Sequence, residues 1–540
     1  MNHLDRERTL NFIFYFCSST LPRNALLITD HVTRLEIDLS LFHIDMHYCL
    51  PDHLKDKVTS GINDKVILYG NNSFPSLNQK FQLIIIDLEN TSYKQLLSKI
   101  ITDLEPDGSI VVFDWSKKPK TALSKLFWHL GFTKNRLSSL TENQIYNLHG
   151  LSLKLNWYFF VEPSLLKPRR LVRRSFKSVI PDEPRSPAKR ILNKIGLFYF
   201  KKHHRIIIGK LNTSNPEPGF LEELFNKIQN QQSTAKGPYL NRKKIRQFIV
   251  SGTKILILDV LVGHKEYIIR LPLDKTAVEG IHKQAEIVSF LNSKDMKLVP
   301  KAVSYVRDNP FTYYIEEKIG DGKRIESLAK QNNSFIPLYD EMLRGIAGIH
   351  IQLGENLAMD DLQFETYVLP SINTILENTK SDCEATRAFH QIKSEMNARL
   401  KNKIVMRSVC HGDLKIENGI FDSKMKLKGI FDWDKSEREG ITITDLACLL
   451  ATSVRIQYFK NSSLVDFMKK FNTVPEEFIP SYTFYFEATQ TSYITPKLAI
   501  LYYWVDRIYK LLKYYQHHSN EEWMKENINP VLDRVNYFLE

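Results

Sequence analysis

Apolar residues fall into two rhythms along this chain. Over the first 160 residues they come as short unbroken runs separated by polar, turn-forming stretches, at 25–30 (ALLITD), 65–69 (KVILY) and 81–87 (FQLIIID). A run without polar alternation predicts a strand covered on both faces, as in a parallel sheet. After 81–87 comes a helix-spaced stretch at 93–104, then Pro106-Asp107-Gly108, then a second apolar run at 109–114. Strand, helix, turn and strand in that order predict a βαβ unit, so an α/β domain with a parallel, Rossmann-like sheet is expected over 1–160.

Beyond 235 the order changes. Strand patterns at 247–250, 253–260, 266–271 and 312–317 come first, and helix-period patterns fill 337–540. In the stretch 338–353, Met342, Ile346 and Ile349 repeat at helical spacing. Strands followed by helices predict a two-lobed α+β unit, with a strand-rich lobe at 236–320 and a helical lobe at 321–540. Between the two halves, 161–235 holds Pro163, Pro168, Pro181, Pro184 and Pro187, one helix pattern at 188–200 and one strand pattern at 205–209. It is expected to be a basic, proline-rich linker. The stretches NTSNPEPG and NQQSTAKGP mark its end near 235. A multidomain chain follows.

Composition narrows the class. The 540 residues are 43% hydrophobic and 25% charged, the mix of an ordinary globular protein. No apolar run reaches the roughly 18 residues a spanning helix needs. The early run at 10–17 is short and has acids among its flanking bases, so no signal peptide is expected. Cys17, Cys49, Cys383, Cys410 and Cys448 are scattered without CxxC spacing, which argues for a reducing compartment and a cytoplasmic protein. The net charge of +13 is concentrated: 167–205 carries thirteen Lys or Arg against Asp182 and Glu183. Beside a solvated linker, two readings of that segment stay open: a helix lying on an anionic membrane surface, and a patch for phosphate-rich ligands. Leu192, Ile195, Leu197, Phe198 and Phe200 favour the membrane. No nucleic-acid module is recognised, so no specific nucleic-acid partner is expected.

The densest chemistry lies in Val409-Cys410-His411-Gly412-Asp413-Leu414-Lys415-Ile416-Glu417-Asn418, followed by a hairpin pattern to Ile430-Phe431-Asp432-Trp433. Phosphoryl transfer asks little covalent help of a protein. It needs a carboxylate to take the acceptor hydroxyl's proton and oxygen ligands for magnesium. Asp413 suits the first role, and Asn418 and Asp432, at the two bases of the hairpin, suit the second.

These residues resemble the aminoglycoside phosphotransferase and choline kinase branch of the protein-kinase-like fold. That family carries HGDxxxxN, a hairpin and IDW, where this chain has HGDLKIEN and IFDW, and Asp445-Leu446-Ala447 matches its DLA. The resemblance covers roughly 244–520 by pattern. It implies a two-lobed kinase-like fold using ATP and Mg²⁺, with Asp413 as base, Asn418 and Asp432 as metal ligands, and an alcohol of a small molecule or glycan as acceptor. It further implies that Arg270 in YIIRLPL contacts nucleotide phosphates, that Glu286 in HKQAEIVSFL pairs with Arg270, and that backbone groups around Glu316 and Lys318 meet adenine. His411 and His350 are expected to be structural. The turn at Gly252 lacks a GxGxxG, so a glycine cradle for phosphate is not expected. Glu437, Glu439, Tyr482, Glu487, Trp504 and Asp506 are candidates for an acceptor pocket. A non-catalytic, scaffolding kinase-like protein is the alternative. The joint presence of Asp413, Asn418 and Asp432 favours the enzyme.

The amino-terminal pattern is similar to class I S-adenosylmethionine-dependent methyltransferases, through FQLIIID and the later LEPDGSIVVFDW. Asp107 stands where that family has the first of two glycines, and no GxGxG follows an early strand. Asp30 or Asp45 is the candidate acid for ribose hydroxyls. Residues 20–75 offer only Gly61 and Gly70 for the close backbone approach such a cofactor needs, which implies a degenerate domain. A methyltransferase-like domain ahead of a kinase-like one resembles bifunctional enzymes that cap bacterial surface polysaccharides. Titration calorimetry of the full-length protein with S-adenosylmethionine should accordingly give no saturable heat; micromolar binding would overturn this expectation.

Overall fold

In the computed structural model the early apolar runs pair as parallel strands, and their unbroken hydrophobicity is explained by cover on both faces. The structure describes residues 23–29, 45–51, 66–69, 79–87, 103–114, 153–161, 175–178, 204–211, 220–231, 243–251, 253–307, 311–320, 334–379, 382–459, 462–514 and 521–539. Two compact units emerge, Met1–Ile281 with Val303–Glu317, and His282–Ala302 with Lys318–Glu540.

The first unit begins with β1 (Asn24–Thr29), β2 (Asp45–Pro51), β3 (Val66–Tyr69), β4 (Phe81–Asp87) and β5 (Leu104–Asp114). They lie in the order β5-β4-β1-β2-β3, every pair parallel. Consecutive residues of a strand face opposite sides, yet Leu26, Leu27 and Ile28, and Leu83 through Ile86, are all fully buried, so the sheet has no wet face here. The Pro106-Asp107-Gly108 turn falls inside β5 as a bulge: the partner of Phe81 is Leu104, but that of Leu83 is already Ser109. A side chain at Gly108 would come within 2.7 Å of Leu104, which is why glycine sits at the bulge. Asp45 opens β2 at its amino end, whereas ligands of parallel sheets sit beyond the carboxyl ends. Its geometry does not suit the ribose role.

The expected linker is partly sheet. β6 (Leu153–Val161), β7 (Ser175–Ser178) and β8 (His204–Leu211) join the same sheet, with β8 antiparallel between β5 and β6. The strand pattern at 205–209 is thus part of the amino-terminal sheet, and the boundary expected near 235 falls within the first unit. Helix α1 (Phe220–Gln231), not anticipated from its polar surroundings, buries Phe220, Leu221, Leu224, Phe225 and Ile228 at helical spacing. The ring of Phe220 stacks on Phe311 at 4.5 Å.

β9 (Lys243–Val250), β10 (Ile255–Val262) and β11 (Lys265–Pro272) form the expected antiparallel meander. β7 pairs with β9. After helix α2 (Lys275–Ser293) come β12 (Ala302–Val306) and β13 (Tyr313–Glu317), the latter antiparallel to β11. Among the described residues these thirteen strands make one sheet.

The second unit is helical around two small antiparallel sheets. In order come α3 (Ile336–Leu353), β14 (Glu355–Ala358), α4 (Asp361–Tyr367), α5 (Leu369–Asn378), α6 (Cys383–Leu400), β15 (Ile404–Cys410), β16 (Gly419–Phe421), β17 (Leu427–Ile430), β18 (Glu437–Ile441), α7 (Ile443–Tyr458), α8 (Leu464–Lys470), α9 (Ile479–Thr489) and α10 (Pro496–Tyr514). Helix α7 is buried from Ile443 to Val454 and packs on α10, so it is the axis of this unit. Trp504 of α10 stacks on Phe389 of α6 at 5.8 Å. Among the described residues no helix is long and apolar enough to cross a membrane. The helix expected at 93–104 lies outside the described residues up to 102, and Leu104 itself belongs to β5. Also outside are the helix at 188–200, most of the basic segment 167–205, and Asp30, Gly61, Gly70 and Gly252.

Candidate active site

The site in the second unit is organised by one buried carboxylate. β15 delivers the chain to His411-Gly412-Asp413, and Asp445, in the first turn of α7, accepts the His411 N–H at 2.5 Å and the Gly412 N–H at 2.8 Å. His350 of α3 places Nε2 3.4 Å from the same carboxylate, and its Nδ1 lies 2.7 Å from the Tyr485 hydroxyl of α9. Burial pushes the Asp445 carboxyl up, but contacts to His350 and His411 outweigh it and hold it below the usual carboxylate range. The loop it anchors must turn tightly: Gly412 has φ +77°, and a Cβ there would lie 2.2 Å from the Lys435 carbonyl oxygen.

His411 carries the order across to the hairpin. Its Nε2–H donates to the Phe431 carbonyl at 2.9 Å, which leaves Nδ1 to face the Asp413 N–H at 3.4 Å. The imidazole also lies against the Trp433 ring, 4.7 Å between centroids. As expected from the sequence, His411 and His350 are bracing groups. Asn418 is buried in a 3-10 turn ahead of β16, and its Nδ2–H donates to the Asp413 carbonyl at 3.0 Å. The Phe431 N–H returns to the Asn418 carbonyl at 2.9 Å, closing the β16-β17 hairpin at its base. One residue on, Asp432 takes the left-handed conformation, φ 72° and ψ 51°. That conformation costs a non-glycine residue about 1 kcal/mol, aspartate less than most. Trp433 locks the following turn by donating Nε1–H to Ile430 O at 2.8 Å.

Asp413 is largely buried and flanked by cations, with Oδ2 2.6 Å from Lys415 Nζ and Oδ1 3.8 Å from Arg507 Nη1. Burial raises its carboxyl, but Lys415 and Arg507 prevail and hold it below the usual range, so it is ionised at neutral pH. Among the described residues Oδ1 makes no hydrogen bond, which leaves an acceptor position for a hydroxyl. The oxygen chemistry also fits magnesium. The Asn418 amide spends its N–H on the loop and has its oxygen as a neutral donor, and Asp432, across the base of the hairpin, is a carboxylate.

In the first unit Arg270 is buried on β11 and meets Glu316 of β13, Nη2 to Oε1 3.3 Å. The register opposes Arg270 to Tyr314 and Ile268 to Glu316, so Arg270 and Glu316 are diagonal neighbours on one sheet face. Glu286 is 62% exposed at its side chain and pairs with His282 one helical turn earlier, 3.5 Å away. Within the first unit the acid beside Arg270 is Glu316, which strand register brings to it. Lys318 follows β13 directly and is half-buried.

The acceptor-pocket candidates separate. Tyr482 is core, its hydroxyl donating to Ile494 O at 2.9 Å, and Trp504 is fully buried. Glu439 pairs with Arg407 at 3.4 Å, and Glu487 is exposed. Glu437 and Asp506 both meet Lys510, at 3.4 and 2.8 Å. A search for acids missed the bases Lys415, Arg507 and Lys510. The repeat of Arg507, Lys510 and Lys513 along an otherwise apolar helix was the available signal.

Residues 257–460 match the model of the phosphotransferase enzyme family. This stretch is aminoglycoside phosphotransferase-like, in agreement with its HGDLKIEN motif. Among solved structures, aminoglycoside-3'-phosphotransferase of type VIII is 14% identical over 53% of this chain and 98% of its own, with a TM-score of 0.32. Spectinomycin phosphotransferase, solved with ADP and spectinomycin, is 12% identical over 58% of this chain and 93% of its own, with a TM-score of 0.32. An O-methyltransferase from Bacillus cereus is 10% identical over 38% of this chain and 80% of its own, with a TM-score of 0.19. These likenesses are distant and by themselves say nothing of substrate. No curated protein matches the chain.

Because the folded state lowers the Asp445 pKa, its contribution to stability is present above the unfolded value of about 4 and is lost as pH falls through the folded one. Asp445→Asn should reduce stability by about 3 kcal/mol at neutral pH. The gap from the parent should narrow below about pH 4, measured by urea unfolding across a pH series. A gap independent of pH would refute the assignment.

Proposed function

We propose that the chain is an ATP- and Mg²⁺-dependent phosphotransferase that phosphorylates an alcohol of a small molecule or glycan, with Asp413 as general base. The observation that carries this reading is the single hydrogen-bonded circuit joining Asp413, Asn418 and the residue before Asp432. A base and an oxygen ligand joined in this way, with a second carboxylate one residue past the circuit, are preorganised for one reaction.

Asp413 Oδ1 accepts a hydrogen bond from the acceptor hydroxyl and orients its oxygen. As that oxygen bonds to the γ-phosphorus, the bond from phosphorus to the ADP oxygen breaks and the hydroxyl proton passes to Asp413. A carboxylate held below its usual range is a weak base. A loose phosphoryl-transfer transition state tolerates this, since the hydroxyl loses its proton late. Lys415, already beside Asp413, adds positive charge where the phosphoryl oxygens would gather. Asn418 Oδ1 and the Asp432 carboxylate would hold magnesium, which when bound neutralises charge on the phosphates. Arg270, clamped by Glu316, has the nucleotide-phosphate role, and the backbone around Glu316 and Lys318 the adenine role.

Asp413→Asn should lower turnover about 10²- to 10⁴-fold and leave ATP binding unchanged. Steady-state ADP formation and nucleotide titration test both parts; comparable turnover in the variant refutes the base assignment. Asp432→Ala should weaken ATP binding in the presence of Mg²⁺ only. Equal weakening with metal chelated would show a folding defect and remove the ligand role.

A further inference from the structure

The two oxygens of the Asp413 carboxylate are not equivalent. Oδ2 is taken by a hydrogen bond from Lys415 Nζ at 2.6 Å, whereas Oδ1 is buried and, among the described residues, has no hydrogen-bond partner. A buried carboxylate oxygen left in that condition is costly, and one retained at a site of chemistry calls for an occupant. Arg507 Nη1 lies 3.8 Å from this same oxygen. That is beyond direct hydrogen-bond reach, and a polar gap of this width is the span of one bridging oxygen. An oxygen set to one side of the line between them lies about 2.8 Å from both.

Both walls of that gap stand on ordered elements of the second unit. Asp413 follows the two N–H groups held by Asp445, and its carbonyl is fixed by Asn418. Arg507 is carried by α10 between the buried Trp504 and Ile508, with Trp504 stacked on Phe389 and the helix packed on α7. The Arg507 side chain is 34% exposed, so its guanidinium sits at the border of the interior. A guanidinium has five N–H donors in a fixed fork, so one can serve here while others hold other groups.

We propose that Arg507 is a second catalytic residue: with Asp413 Oδ1 it bounds a slot for the acceptor's oxygen, which donates its proton to Oδ1 and accepts a hydrogen bond from Nη1. This rests on the phosphotransferase reading above. The oxygen's remaining lone pair is then directed to the γ-phosphorus. As the new oxygen–phosphorus bond forms and the bond from phosphorus to the ADP oxygen breaks, the proton passes to Asp413, and Arg507 keeps its own protons throughout. Donation from Arg507 makes the oxygen slightly less nucleophilic, which a loose transition state tolerates in return for orientation. The slot also selects the acceptor's chemistry. A hydroxyl or water has a proton to give and lone pairs to spare, whereas an ammonium group has no lone pair for Arg507 and is not an acceptor.

Water fits the same slot, so the test follows ADP formation by the full-length protein with Mg-ATP and water as the acceptor. Arg507→Met, which keeps the length of the side chain without its donors, should lower turnover about 10- to 100-fold and leave the KM for ATP unchanged. The double variant Asp413→Asn with Arg507→Met should be no slower than Asp413→Asn alone, because both side chains act on one oxygen. Millimolar guanidinium ion should restore part of the turnover of Arg507→Ala, which only a folded variant allows, and should not restore Asp413→Asn. Parental turnover in Arg507→Met overturns the inference. So does a raised KM for ATP, or a loss that multiplies with that of Asp413→Asn and resists guanidinium, since a purely structural role for Arg507 gives that result. If Asp413→Asn is slow and Arg507→Met is not, the phosphotransferase reading survives and this inference alone falls; if the parent forms no ADP, or Asp413→Asn matches it, both fall.

Discussion

The second unit's chemistry depends on the carboxylate of Asp445. It is fully buried, and it satisfies two consecutive backbone N–H groups at a turn that only glycine can make. Left without an acceptor, each of those buried donors would cost about 1–3 kcal/mol, more than any alternative local hydrogen bond could return. From that anchor order passes outward through His411 to Phe431, and through Asn418 back to Asp413. Asp413 and Asn418 are therefore tied into one hydrogen-bonded circuit that reaches Phe431, the residue before Asp432.

Two ion pairs show how burial separates function from stability. Arg270 and Glu316 face each other nearly without water, where the desolvation of both charges offsets most of their attraction. Such a pair is weak evidence of stabilisation. Asp413 is the reverse case. Its environment favours the charged form through Lys415 and Arg507, which keeps it ionised and ready to accept a proton, at the expense of basicity. For phosphoryl transfer, orientation and charge outweigh proton affinity, so this exchange suits the proposed reaction.

The first unit shows how a sheet absorbs segments that look like connections. β8 inserts antiparallel beside the last parallel strand, β5, and β7 pairs with β6 on one side and β9 on the other. A basic, proline-rich stretch can supply an antiparallel strand because such pairing requires only a few free N–H and C=O groups. Composition alone marks it as a linker, and the backbone nevertheless uses part of it as sheet.

Much of this was legible in the residues themselves. The run FQLIIID becomes β4 with the expected bounds, and the hairpin between Asn418 and Asp432 forms as its alternation implies. The placement of His411 and Asp413 follows from a motif whose members lie within ten residues, where short chain distance leaves little freedom. By contrast, the pairing of Arg270 with Glu316 is decided by register between strands more than forty residues apart. The cations beside Asp413 are Lys415 of its own loop and Arg507 of α10, and no linear spacing joins the second to the motif. Local chemistry is written in neighbouring residues because backbone geometry constrains them directly. Which distant charge meets which is decided by packing, since only the folded chain sets those distances.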